Sequence, residues 1–207
     1  MLQVKSKYKV AKRLGAGVFE KTQTQKFALS EARSKASKKT RGGRGGGSDY
    51  GKQLLEKQRV RYTYGLSERQ LSNYAEKAFE QADPSKALHI SLESRADSAV
   101  YRAGFASTRR AARQIVSHGH ITINGVRITT PSHRVRKGDI LAIREGSRTS
   151  PLFAGLEEAN KEEMARAVPA WIAVDLTKLN AEVQDEPVYS PADTGLDYAT
   201  VFEFYSR

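Results

Sequence analysis

Residues 92–141 read LESRADSAVYRAGFASTRRAARQIVSHGHITINGVRITTPSHRVRKGDIL, and within this stretch the hydrophobic period switches from helical to alternating. Arg95 to Ala103 reads as a short helix closed by Gly104, and Thr108 caps a second helix that runs to His118 and stops at Gly119. At about 100° per residue, Ala111, Ala112, Ile115 and Val116 fall on one side of that second helix. Arg109, Arg110 and Arg113, with Ser117, fall on the other, so one core face and one outward face of three guanidiniums are expected. After Gly119, Ile121 and Ile123 alternate with Thr122, and Asn124-Gly125 offers a tight turn into Val126, Arg127 and Ile128. Lys137-Gly138-Asp139 then precedes a third strand, Ile140 to Ile143. Two short helices on a small antiparallel sheet bury little area, so such a module needs its neighbours or a ligand to hold it.

Working outward toward the N-terminus, KQLLEKQRVRY (Lys52 to Tyr62) has helical composition and is stopped by Gly65. Ser67 followed by Gln70 forms a capping box, since each side chain satisfies an amide left open at the helix start. That helix is expected to run to about Ala82, with Leu71, Tyr74, Ala75, Ala78 and Phe79 packed inward. Upstream, TRGGRGGGS (Thr40 to Ser48) cannot sustain a helix or strand. Lys21 to Ser48 is accordingly expected to be a poorly ordered basic arm, with regular structure beginning after Tyr50.

The whole chain has 207 residues and a net charge of +12. The charge is uneven: residues 1–62 carry +13, 94–148 carry +8 and 149–207 carry −7. Two basic blocks suit a polyanionic partner, and the acidic end suits protein or solvent. With no cysteine there are no disulfides, no thiol catalysis and no thiolate metal site. The longest apolar run, Ala167 to Val174, is far short of a membrane span, and no signal peptide is read at the basic start, so a cytoplasmic protein is expected.

The stretch quoted above resembles the small RNA-binding domain named after ribosomal protein S-four, which occurs in several RNA-handling proteins. Its flanks are more specific: SDYGKQLLEKQRVRYTYGLSERQLSNYAEKA (Ser48 to Ala78), PAWIAVD (Pro169 to Asp175) and the terminal VFEFYSR resemble the bacterial small-subunit ribosomal protein four family. The resemblance implies an α+β fold in which this RNA-binding domain (94–148) is inserted into a helical domain built from 49–93 and 149–207, preceded by the Gly-rich arm (1–48). It implies a structural constituent of the small ribosomal subunit that binds 16S rRNA early in assembly of the subunit body. It also implies contact with ribosomal protein five, through the C-terminal part, at an interface that influences decoding accuracy.

By matching position, the RNA-facing residues of the inserted domain are expected to be Arg109, Arg110, Arg113, Gln114, His118, His120, Asn124 and Arg134, joined by Arg95, Thr108, Arg136 and Lys137. Those of the helical domain are Lys52, Lys57, Arg59, Arg61 and Arg69, and those of the N-terminal region Lys5, Lys7, Lys9, Lys12 and Arg13. Many relatives bind zinc through four N-terminal cysteines; their absence here implies the zinc-free form, with no metal and no cofactor. Where the family lines the path of incoming messenger RNA with basic residues, only Arg41 and Arg44 remain as candidates. The resemblance departs from the family where its usual Gly between the last strands is replaced by Ala181, and where Tyr189 to Asp193 replaces a more charged segment.

Other chemistries are weaker. His118-Gly-His120 suits a helix-ending turn better than a metal site. Glu157, Glu158, Glu162 and Glu163 alternate with Lys161 and Arg166, as on a solvated helix rather than in an acid–base pair. Gly15-Ala16-Gly17 lacks the third glycine and preceding strand of a dinucleotide loop, and Trp171 is expected in the core. No catalytic residue and no small-molecule substrate are expected. An RNA-modifying enzyme would need a further catalytic domain, and a non-ribosomal RNA chaperone or rescue factor would not share the two flanks.

Overall fold

The computed structural model describes residues 4–40, 48–153 and 168–206. They form two compact units, one of residues 1–88 with 190–207 and one of residues 89–189.

In the first unit, α1 (Lys7–Leu14) is followed by two 3-10 turns and by α2 (Gln25–Thr40). The expectation of an unstructured arm from Lys21 is therefore corrected: helix extends to Thr40, and only 41–47 lie outside the described residues. The cause is non-local. Ala11, Leu14, Val18, Phe19 and Phe27 bury one another as a small core, backed by Leu55 and Tyr62 from the next helix. That helix, α3 (Asp49–Thr63), starts where Ser48 Oγ accepts from the Gly51 amide at 3.2 Å.

The capping box forms as read: Gln70 N donates to Ser67 Oγ at 3.2 Å, and Ser67 N donates to Gln70 Oε1 at 3.0 Å. It opens α4 (Glu68–Phe79), which ends three residues before the expected Ala82. Leu71, Ala75 and Ala78 are buried, whereas Phe79 is 44 % exposed and meets Phe202 edge-on at 4.6 Å. The chain returns to this unit through a four-residue helix, α9 (Pro191–Thr194), and α10 (Tyr198–Tyr205), which lies along α3. Tyr64 and Tyr198 meet through their hydroxyls at 3.2 Å, so this buried contact leaves neither phenol oxygen unpartnered.

Helix α5 (Pro84–Glu93) spans the division at Leu88/His89, and the second unit goes on through α6 (Ala96–Arg102) and α7 (Arg109–Ser117) into β1 (Ile121–Ile123), β2 (Val126–Ile128) and β3 (Ile140–Ile143). Asn124 (φ 51°) and Gly125 (φ 80°) both adopt positive φ, as the tight hairpin turn requires. After the short α8 (Glu145–Arg148), β4 (Ile172–Asp175) and β5 (Asn180–Val183) join the same sheet. The sheet is antiparallel, in the order β2-β1-β3-β5-β4.

The domain boundary expected at 148/149 is thereby corrected. Leu141 pairs with Ala181 and Ile140 with Glu182, so residues up to Tyr189 belong with the sheet and only the last helices with the helical unit. Ala181 lies within β5, not between strands; the bend before it is made by Leu179 at φ 51°. The expected acidic helix around Glu157 to Arg166 lies outside the described residues. Ala112, Ile115 and Val116 of α7, Ile121, Leu141 and Ile143 of the sheet, Phe105, Phe153 and Trp171 share one core.

Candidate nucleic-acid interface

Helix α7 is built as its periodicity demands. Thr108 Oγ1 accepts from the Ala111 amide at 3.1 Å, and the Ala112, Ile115 and Val116 face is buried. Two of the three guanidiniums on the opposite face are turned into the protein, which corrects the expectation of three outward guanidiniums. Arg109 Nη2 donates to Glu93 Oε1 at 2.9 Å, and Arg113 Nε donates to Asp97 Oδ2 at 2.7 Å. Their side chains are only 13 % and 14 % exposed.

The same two carboxylates each hold a second, bidentate arginine. Arg102 Nε and Nη2 reach Glu93 at 2.8 and 2.9 Å, and Arg95 Nε and Nη2 reach Asp97 at 2.9 Å each. Four guanidiniums thus satisfy two buried acids, and Arg95, expected to face RNA, is buried. The reason is spacing: Arg109 and Arg113 stand four residues apart, on the face that α6 and the end of α5 cover, whereas Arg110 is rotated about 100° away and is half-exposed. Burial lowers the pKa of neighbouring His89; Glu93 opposes this, while Arg102 and Arg109 reinforce it.

The open cations of this unit lie on the loop before β3. Val135 is buried, its amide donating to Ser94 O at 2.8 Å, and the adjacent backbone bridges Arg95 to Arg134. Because an extended chain alternates its side chains, burying Val135 turns Arg134 and Arg136 outward, and exposed Lys137 lies with Nζ 3.4 Å from Asp185 Oδ1. Asp139 braces the loop, accepting from the Arg136 amide at 2.7 Å and from Asn124 Nδ2 at 2.9 Å. Asn124 Oδ1 in turn accepts from the Ile140 amide at 2.9 Å, so this residue ties the hairpin to β3.

Gln114 and His118 are exposed at the end of α7, while His120 is half-buried, its Nδ1 3.0 Å from Ser147 Oγ. Exposed Arg127, His133, Arg144 and Arg148 belong to the same unit and were not singled out from sequence. Their one signal is position, since each follows or precedes a strand or turn residue; Arg127 Nη2 donates to His118 O at 3.1 Å. No group of three or more His, Cys, Asp or Glu among the described residues could hold a metal ion.

In the helical unit, Lys5, Lys9, Lys12, Arg13, Lys52 and Arg69 are exposed and Lys7 is half-buried. Lys57 is not a surface cation, contrary to expectation: its side chain is 8 % exposed, with Nζ 2.7 Å from Glu68 Oε1 and 4.1 Å from the Phe204 ring centroid. Tyr205 Oη donates to the same Glu68 oxygen at 3.0 Å. Burial tends to raise the Glu68 pKa, but Lys57, Tyr205 and Arg61 together pull it below its ordinary value. Burial and the Glu68 charge push Tyr205 up.

Arg59 is half-buried, donating from Nε to Leu14 O at 2.9 Å and pairing with Glu56, and Arg61 donates to Leu66 O and Gln58 at 3.3 and 3.2 Å. Arg41 and Arg44 lie outside the described residues.

Two family models match adjoining parts of the chain: residues 4–93 match the Ribosomal protein S4/S9 N-terminal domain, and residues 94–141 the S4 domain. A Roseiflexus castenholzii protein named small ribosomal subunit protein uS4 is 40% identical over 206 residues, covering 96% of each chain. Proteins of the same name from Roseiflexus sp. and Borrelia turicatae are 41% identical over 207 residues (96% of each chain) and 37% identical over 203 residues (98% of this chain, 96% of the relative).

Proposed function

The chain belongs to the family of small ribosomal subunit protein uS4, and from that premise we propose that it docks on folded 16S rRNA through cationic surfaces in both of its units and helps nucleate assembly of the subunit body. It is a structural component of the small ribosomal subunit rather than an enzyme, with an RNA-binding S4 domain. The alternative of a rescue factor or chaperone has no support, because the similarity extends through the helical unit as well as the S4 domain.

The observation that carries the RNA reading is the alternation at Val135, which holds Arg134 and Arg136 out from a rigid sheet unit beside Lys137. Guanidiniums on a braced backbone bind phosphates with little ordering cost, and folded RNA is recognised largely through backbone and shape. In the helical unit the exposed cations Lys5, Lys9, Lys12, Arg13, Lys52 and Arg69 supply the second set of contacts. Gln114, His118 and Arg110 extend the first. Arg109, Arg113 and Arg95 act on RNA indirectly, by setting the position of α7 over α6.

Exposed Glu182 and Glu186 suit a basic protein neighbour, and ribosomal protein five is the proposed one, with an effect on decoding accuracy. The cytoplasm follows as the compartment of a ribosomal component; no described helix is long and apolar enough to cross a membrane. The test is binding of the full chain to a 16S rRNA junction fragment against duplex RNA of equal length across a salt series. Tighter binding to the junction is expected; equal affinities would reject the assignment.

A further inference from the structure

Helices α1 and α3 border a groove of about 300 Å³ that the RNA reading above leaves unused. We propose that this groove takes one unpaired nucleotide of a bound RNA, its base stacked on Tyr62 and its phosphate held by Arg13, an inference that rests on the chain binding RNA at all.

Each part of a nucleotide meets a matching group. Val10 from α1 and Leu54 and Leu55 from α3 supply apolar lining beside Tyr62 for a base. Tyr62 is half-buried in the lining, held edge-on by Phe19 at 6.3 Å, and the Arg61 guanidinium lies 5.7 Å from its ring centroid. An aromatic ring beside a guanidinium is the platform on which proteins stack splayed-out RNA bases. Gln58 accepts from Arg61 Nη1 through Oε1, which leaves its amide nitrogen to donate to a base edge. Arg13, in the last turn of α1, is exposed and has no protein partner among the described residues.

The size argues the same way. The groove lies at the lower end of the range for small-molecule sites, roughly 300–1,000 Å³, which suits a nucleotide and is too small for a docked helix. The two guanidiniums in its lining, of Arg13 and Arg61, disfavour an uncharged apolar occupant.

The experiment uses the full chain with two probes, a 16S rRNA transcript and an unstructured polyuridine, irradiated with short-wave ultraviolet and mapped by mass spectrometry. In parallel, Leu54→Trp fills the groove from a half-buried position, and filter binding reads its affinity. A Tyr62–nucleotide adduct and an affinity loss of about tenfold in Leu54→Trp, the scale of one stacked base, are expected. An adduct with the transcript alone supports a nucleotide within folded ribosomal RNA. An equal adduct with polyuridine supports the groove and makes a passing single strand, such as messenger, the source. Tight transcript binding with no Tyr62 adduct and an unaltered Leu54→Trp affinity would overturn the groove while leaving the RNA function intact. Absence of transcript binding by the wild-type chain would overturn both.

Discussion

Arg109 Nη2 lies 2.9 Å from Glu93 Oε1, and only 1 % of that glutamate side chain is exposed. A carboxylate so far from water is tolerable only while its charge is matched, and Arg102 and Arg109 match it from two helices. The pairing fastens α7 to the end of α5, so residues that look from sequence like ligand-binding cations are fasteners of the domain.

Replacing both Arg109 and Arg113 by Ala should therefore destabilise the sheet unit by about 2–4 kcal/mol, because Glu93 and Asp97 each lose a charged partner while staying buried. Denaturant unfolding measures this. An unchanged midpoint would show that these side chains are as dispensable as an outward-facing reading makes them.

The loop cations should behave in the opposite way. Changing Arg134, Arg136 and Lys137 together to Ala is expected to leave thermal unfolding nearly unchanged, since all three are exposed. It should reduce the slope of log K against log salt for ribosomal RNA by about 2–3, one counterion equivalent for each phosphate that the loop no longer neutralises. A triple variant with the wild-type slope would remove this loop from the interface.

Gly119 combines two constraints. Its φ is +72°, and a Cβ there would fall 2.2 Å from Arg127 Nε. Gly119→Ala should cost about 1–2 kcal/mol, most of it from the left-handed backbone, since the Arg127 guanidinium can swing away at the loss of its bond to His118 O. Adding Arg127→Ala should recover only the smaller steric share, which a double-mutant cycle resolves.

The Lys57–Glu68–Tyr205 cluster makes a pH prediction with a definite sign. The folded-state pKa of Glu68 is below its ordinary 4.5, so its contribution is present above pH 4.5 and is lost as acid protonates it. Tyr205 is raised above its ordinary 10.0, so its contribution is present below pH 10 and is lost as alkali ionises it. Glu68→Gln should flatten the acid limb and Tyr205→Phe the alkaline limb of a stability–pH curve. An acid limb that is unaltered in Glu68→Gln would mean that other carboxylates dominate it.

Local features were legible in advance wherever a few neighbouring residues decide the outcome. The Ser67–Gln70 capping box, the Thr108 cap, the Asn124-Gly125 hairpin and the buried stripe of α7 each depend on interactions within four residues or so. The exposed loop cations were legible too, since Val135 is the one apolar residue among them. The candidate site was read less well in the helices, where Lys57 and Arg109 turned out to serve partners 11 and 16 residues away.

By itself, then, the sequence determined the local elements, the charge imbalance between segments and the resemblance to a ribosomal RNA-binding family. Tertiary structure alone decided which arginines meet solvent, that residues 180–183 complete a sheet begun at Ile121, and that α1 and α2 build a core where an unordered arm was expected. Helical periodicity gives the angle between side chains but not what stands opposite each face. Only the packed chain brings Glu93 and Asp97 against α7, and burying those two carboxylates obliges the nearest guanidiniums to turn toward them.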